Sequence, residues 1–102
     1  MIGIDILEVK RIGKAIKNKR FLDKVFTKQE QEYIKGHGVM AETATGLFCA
    51  KEAIIKAVGE GHLIDYEILH KENGKPFVAN HEYLEISISH CKNYATAICV
   101  KA

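Results

Sequence analysis

Over Met1 to Leu7 the apolar residues Ile2, Ile4 and Ile6 alternate with Gly3, Asp5 and Leu7. A period of two predicts a strand, with Asp5 on the face opposite the isoleucines. From Val9 to Arg20 the period lengthens to that of a helix. Ile12, Ala15 and Ile16 form its apolar side, and Lys10, Arg11, Lys14 and Lys17 its basic side. Thr27 followed by Glu30 fits a capping box opening a second helix through about Ile34, ended by Gly36-His37-Gly38. A third helix is predicted to start between Glu42 and Thr45 and to run to Val58, where Gly59-Glu60-Gly61 stops it.

The second half reads as strands. Tyr66 to His70 leads into Asn73-Gly74, a hairpin turn signal, and Pro76 to Ala79 is the return strand. Leu84 to Ser89 and Tyr94 to Val100 form a second hairpin around Cys91-Lys92-Asn93. Helices in the first half and antiparallel hairpins in the second predict an α+β fold, and 102 residues without repeats or linkers suit one domain, 1–102.

Composition narrows the function classes. Apolar residues make up 47% and charged ones 27%, the balance of an ordinary globular protein. Lys and Arg number 15 against 13 Asp and Glu, an excess too small for a general nucleic-acid binder. Cys49, Cys91 and Cys99 are odd in number and scattered, so reduced thiols are expected rather than a disulfide framework or a zinc site. No basic segment leads a long apolar run, and no stretch approaches membrane-spanning length, which makes the cytoplasm the expected location.

Three places could carry chemistry. Asp5 is a carboxylate in an apolar strand and needs a partner, an exposed edge or a cation. Taken alone it reads as an edge-strand aspartate capping the following helix. Glu52 and Lys56 lie four apart on the most apolar helix of the chain. A surface ion pair is the ordinary account of such a spacing, but charged residues on a largely buried helix are less common than on a solvated one. Ser87-Ile88-Ser89-His90 ends a strand at a tight turn, where a histidine with hydroxyl neighbours can bind phosphate or move a proton. Taken alone it reads as a solvated turn.

Taken together, Gly3-Ile4-Asp5-Ile6, Lys51-Glu52-Ala53-x-x-Lys56-Ala57-x-Gly59 and Ser87-Ile88-Ser89-His90-x-x-x-Tyr94-Ala95-x-Ala97 resemble the phosphopantetheinyl transferases, most closely the short holo-acyl-carrier-protein synthase type. Glu8-Val9-Lys10-Arg11-Ile12, Phe26-Thr27 and Asn73-Gly74-Lys75-Pro76 support the match, which spans essentially the whole chain in order. The chain departs from the family pattern in three ways. It is short around Gly36 to Glu42. Leu47 stands where many members carry an arginine. Leu7 replaces the third acidic residue of the longer, two-lobed members.

The resemblance implies a single-lobe transferase fold, an antiparallel sheet packed with helices. It also implies transfer of 4′-phosphopantetheine from coenzyme A to a serine of apo-acyl-carrier protein, releasing 3′,5′-ADP, in support of fatty acid biosynthesis. Asp5 and Glu52 would hold Mg2+ on the pyrophosphate, and Lys56 would contact a phosphate on the leaving side. Glu52 and water are the two acceptors it implies for the serine proton. Ser89 and His90 would bind coenzyme A phosphates. One copy of a fold that the long members carry twice implies a homo-oligomer, a trimer, with Asp5, Glu52 and Lys56 of one subunit facing Ser89 and His90 of the next. Arg11, Lys17 and Arg20, with Lys14 and Phe21, would dock the acidic carrier protein. The competing reading is a non-catalytic α+β module that binds an acidic partner through its basic first helix and has no magnesium requirement.

Overall fold

The computed structural model describes residues 1–101. Strand β1 (Ile2–Glu8) leads directly into helix α1 (Val9–Ala15), followed by α2 (Lys19–Val25), α3 (Lys28–Gly36) and the long α4 (Met40–Val58). A 3-10 turn at Leu63–Asp65 precedes the short hairpin of β2 (Ile68–His70) and β3 (Pro76–Val78), and then β4 (Leu84–His90) and β5 (Tyr94–Lys101).

The expected first helix is two helices. Asn18 breaks it: its side-chain Oδ1 accepts hydrogen bonds from the backbone N–H of Arg20 at 2.9 Å and of Phe21 at 3.4 Å, so it caps α2 instead of continuing α1. The basic residues are thereby divided, with Arg11 and Lys14 on α1, Lys17 in the turn and Arg20 on α2. Helix α3 opens with the expected capping box of Thr27 and Glu30. Helix α4 starts at Met40, ahead of the expected Glu42 to Thr45, and closes at Gly59 with φ of 89°, a left-handed cap that suits glycine.

The main sheet is antiparallel with order β1-β5-β4, so the first strand of the chain pairs with the last, Asp5 lying opposite Ala97. Helix α4 lies across one face and packs on β1, β4 and β5, its Ala50, Ala53 and Ile54 fully buried. The other face carries Ile2, Ile4 and Ile6 at 65%, 62% and 65% exposure, an apolar stripe that nothing within the chain covers among the described residues.

Gly3 fixes how closely β1 approaches α4. A Cβ there would lie 2.0 Å from the Ala53 carbonyl oxygen and 2.7 Å from the Ala57 nitrogen, both backbone atoms. A second anchor was not read from the sequence. Lys51 and Glu30 form an ion pair of 2.9 Å with both side chains at 0% exposure. Lys51 Nζ also donates to the Leu63 and Tyr66 carbonyls, and Glu30 accepts from the backbone N–H of Thr27 and Ile68. All three ammonium protons and both carboxylate oxygens therefore have partners, which is the condition for tolerating a charge pair in the interior. Burial pushes the Lys51 pKa down, and the Glu30 carboxylate opposes that shift.

Candidate active site

The close Gly3 contact determines what faces what. Asp5 is two residues further along β1 and so on the same face as Gly3, turned toward α4. Its side chain is only 13% exposed. Oδ1 pairs with Lys56 Nζ at 3.2 Å, and the same ammonium donates to the Ile4 carbonyl at 3.1 Å. Oδ2 is buried with no hydrogen-bond partner among the described residues. A buried carboxylate oxygen without a donor carries a desolvation cost that a cation would remove.

Glu52 is half-buried on α4, one helical turn before Lys56. The spacing suggested a Glu52–Lys56 pair, but the ion pair Lys56 makes is with Asp5. The two carboxylates act on one neighbour. Burial pushes the Cys49 thiol up to about 12, and the charges of Asp5 and then Glu52 add to the shift. Cys49 is itself fully buried and donates to the Ala95 carbonyl at 3.3 Å. It is an inert thiol packed beneath the acidic pair. Asp5, Glu52 and Lys56 are thus gathered at the C-terminal half of α4.

Ser89 and His90 lie elsewhere. They end β4, exposed: His90 lies on the α4 face beside the first turns of that helix, and Ser89, one residue earlier, on the opposite face of the sheet. His90 Nδ1 is 3.1 Å from Glu42 Oε1, and the ring edge passes Gly46, where a Cβ would lie 3.9 Å from His90 Cδ2. Glu42 and Glu52 are ten residues apart on one helix, about 15 Å along its axis. Within one chain, the histidine and acidic groups therefore occupy opposite ends of α4.

A cavity of about 160 Å³ adjoins His90, lined also by Tyr33, Thr43, Leu47, His70 and Pro76. On one side Tyr33 is stacked between two imidazoles, 3.9 Å from the His37 ring and 3.7 Å from that of His70. Burial, then the nearby His37 charge, pushes the His70 pKa down. Leu47 is buried at this wall, so no cation is supplied from that position. Neither Glu42 nor the stacked rings stood out in the sequence, because their partners come from separate elements. Of the residues expected to dock a carrier protein, Arg11, Lys17 and Arg20 are exposed, whereas Phe21 is half-buried and stacks on Phe48 with ring centres 5.9 Å apart.

Residues 1–99 match the model of the 4'-phosphopantetheinyl transferase superfamily. The chain belongs to that family. It is 44% identical to a holo-[acyl-carrier-protein] synthase of Fusobacterium nucleatum, with 97% of this chain and 95% of that protein aligned. It is also 44% identical to the synthase of Protochlamydia amoebophila, over 97% and 94%. Among solved structures, the Bacillus anthracis synthase in complex with CoA (3',5'-ADP) superposes with a TM-score of 0.86 at 36% identity, covering 98% of this chain and 93% of that one. The Helicobacter pylori synthase in complex with coenzyme A gives 0.86 at 30% identity over 100% of both chains. The family and the α+β transferase fold expected from the sequence are both borne out.

Proposed function

We infer that this chain transfers 4′-phosphopantetheine from coenzyme A to a serine of apo-acyl-carrier protein, in support of fatty acid biosynthesis, and that it does so as a cytoplasmic enzyme. The observation that carries the site assignment is the buried, unpartnered Asp5 Oδ2, on the strand face packed against the half of α4 that holds Glu52 and Lys56. Oxygen donors with a spare lone pair suit Mg2+, and Asp5 and Glu52 would hold it. Bound there, the ion would neutralise pyrophosphate charge.

The serine oxygen bonds to the pantetheine-side phosphorus, the bond from that phosphorus to the bridging oxygen breaks, and 3′,5′-ADP leaves. The serine proton passes to Glu52 or to water. Lys56, held by Asp5 and the Ile4 carbonyl, presents its ammonium to the phosphate on the leaving side. Ser89 and His90 take a phosphate of coenzyme A. Such chemistry asks the protein mainly for positioning and charge neutralisation.

Two features support a homo-oligomer, a trimer, with shared sites. The acidic and histidine groups of one chain are separated along α4, and a second subunit can bring His90 to the neighbour's Glu52. The uncovered Ile2, Ile4 and Ile6 face supplies apolar surface for such an assembly. The exposed Arg11, Lys17 and Arg20, with the edge of Phe21, form the surface for the acidic carrier.

The test is mass spectrometry of apo-carrier protein incubated with the enzyme, coenzyme A and Mg2+. The expected result is a phosphopantetheine mass gain that requires the metal and is crippled in Asp5→Asn. No gain, or the same gain without a divalent ion, refutes the corresponding part of the reading.

A further inference from the structure

We propose that Glu42 is a positioning residue for His90, fixing the imidazole so that it presents one nitrogen as a donor to a phosphate of coenzyme A. This rests on the reading of His90 as a phosphate-binding group. The two residues are 48 apart in sequence, yet the structure sets Nδ1 3.1 Å from Glu42 Oε1, with the Glu42 side chain only 21% exposed. A carboxylate is an acceptor only, so the shared proton sits on Nδ1. That fixes the orientation of the ring and directs Nε2 away from Glu42. Among the described residues, Nε2 has no hydrogen-bond partner.

Gly46 leaves the ring edge room against α4, since any side chain there would crowd Ile88 at 3.0 Å and approach His90. Leu47, one residue on, brings no charge. The burden of anion recognition at this end of α4 therefore falls on the imidazole. A bare carboxylate this close to a phosphate would repel it. Joined to His90, the same carboxylate holds the Nδ1 edge of the ring, and a proton on Nε2 then points at the anion as a donor. A carboxylate in the first turn of a helix also complements the helix dipole, but that accounts for its position and not for its contact with the ring.

The experiment measures coenzyme A KM, kcat and thermal midpoint for wild type, Glu42→Gln, His90→Ala and the double variant. The expected result is a KM raised roughly tenfold in Glu42→Gln, with kcat within about twofold and the midpoint nearly unchanged. In the His90→Ala background, adding Glu42→Gln is expected to change KM no further, because the glutamate acts only through the ring. An unchanged KM in Glu42→Gln while His90→Ala raises it overturns the positioning role alone. An equal KM increase with and without His90 also overturns it. A KM unmoved by His90→Ala overturns both the positioning role and the phosphate-binding reading beneath it. A lowered midpoint with no KM change assigns Glu42 to helix stability instead.

Discussion

Replacing Gly3 by alanine adds one methyl group, and its consequence follows from two distances. The new Cβ would stand 2.0 Å from the Ala53 oxygen and 2.7 Å from the Ala57 nitrogen. Ordinary contact needs more than 3 Å, and neither atom can rotate away, so β1 and α4 must separate by about 1 Å. Overpacking of this kind costs about 3 kcal/mol. For a domain of this size each kcal/mol lowers the midpoint by about 4–8 °C, so a fall of about 12–24 °C is expected. The activity effect is separable from the stability effect. The shift carries Asp5 away from Glu52, and a misplacement of about 1 Å can cost about 100-fold in rate. Circular dichroism melts at fixed protein concentration would give the first number, and carrier-protein mass spectrometry well below the variant's midpoint the second. A Gly3→Ala protein that melts within about 3 °C of wild type and turns over at a similar rate refutes the close-approach argument.

Lys51→Met leaves Glu30 as an uncompensated buried charge and should cost about 3–5 kcal/mol, read as a lowered melting midpoint, with partial recovery in Lys51→Met/Glu30→Gln. Mixing inactive His90→Ala and inactive Glu52→Gln subunits, with exchange demonstrated, should restore activity through interfaces in which both contributed faces are intact; mixed oligomers that remain inactive place the site within one chain. Arg11→Glu should raise the carrier-protein KM and flatten its salt dependence while leaving coenzyme A affinity alone, and a loss of coenzyme A affinity instead removes the docking role. At pH 8 iodoacetamide should alkylate exposed Cys91 and spare Cys49. Because burial raises the Cys49 pKa, the stability this thiol contributes is complete below the ordinary pKa of 9.0 and is lost as pH climbs from there toward about 12, which melts across that range would show.

What could be read from the sequence was local. The capping box at Thr27 and Glu30 and the glycine cap after Val58 are signals carried within a few residues, and both elements formed as expected. The break at Asn18 also had a local signal, a strong capping residue, but the basic periodicity ran through it and hid it. Lys51 shares the helix stripe of Leu47 and Ile54, the spacing of a core position, so its burial could have been inferred, whereas its partner Glu30 could not. The Glu42–His90 contact and the Tyr33 stack join elements distant in sequence, and single-chain periodicity holds no information about such pairings.

The pairing of β1 with β5 has a consequence for how a working molecule arises. Ile2 lies opposite Val100, and among the described residues β5 is the one strand that pairs with β1. On the ribosome, α4 can pack on β1 before β5 emerges, but β1 gains its strand partner, and the register that sets Asp5 opposite Ala97, only with β5. A product terminated before Tyr94 would retain Asp5, Glu52 and Lys56 and yet have no strand to hold the first of them. On the role proposed for Asp5, the site is therefore complete only after translation has passed β5.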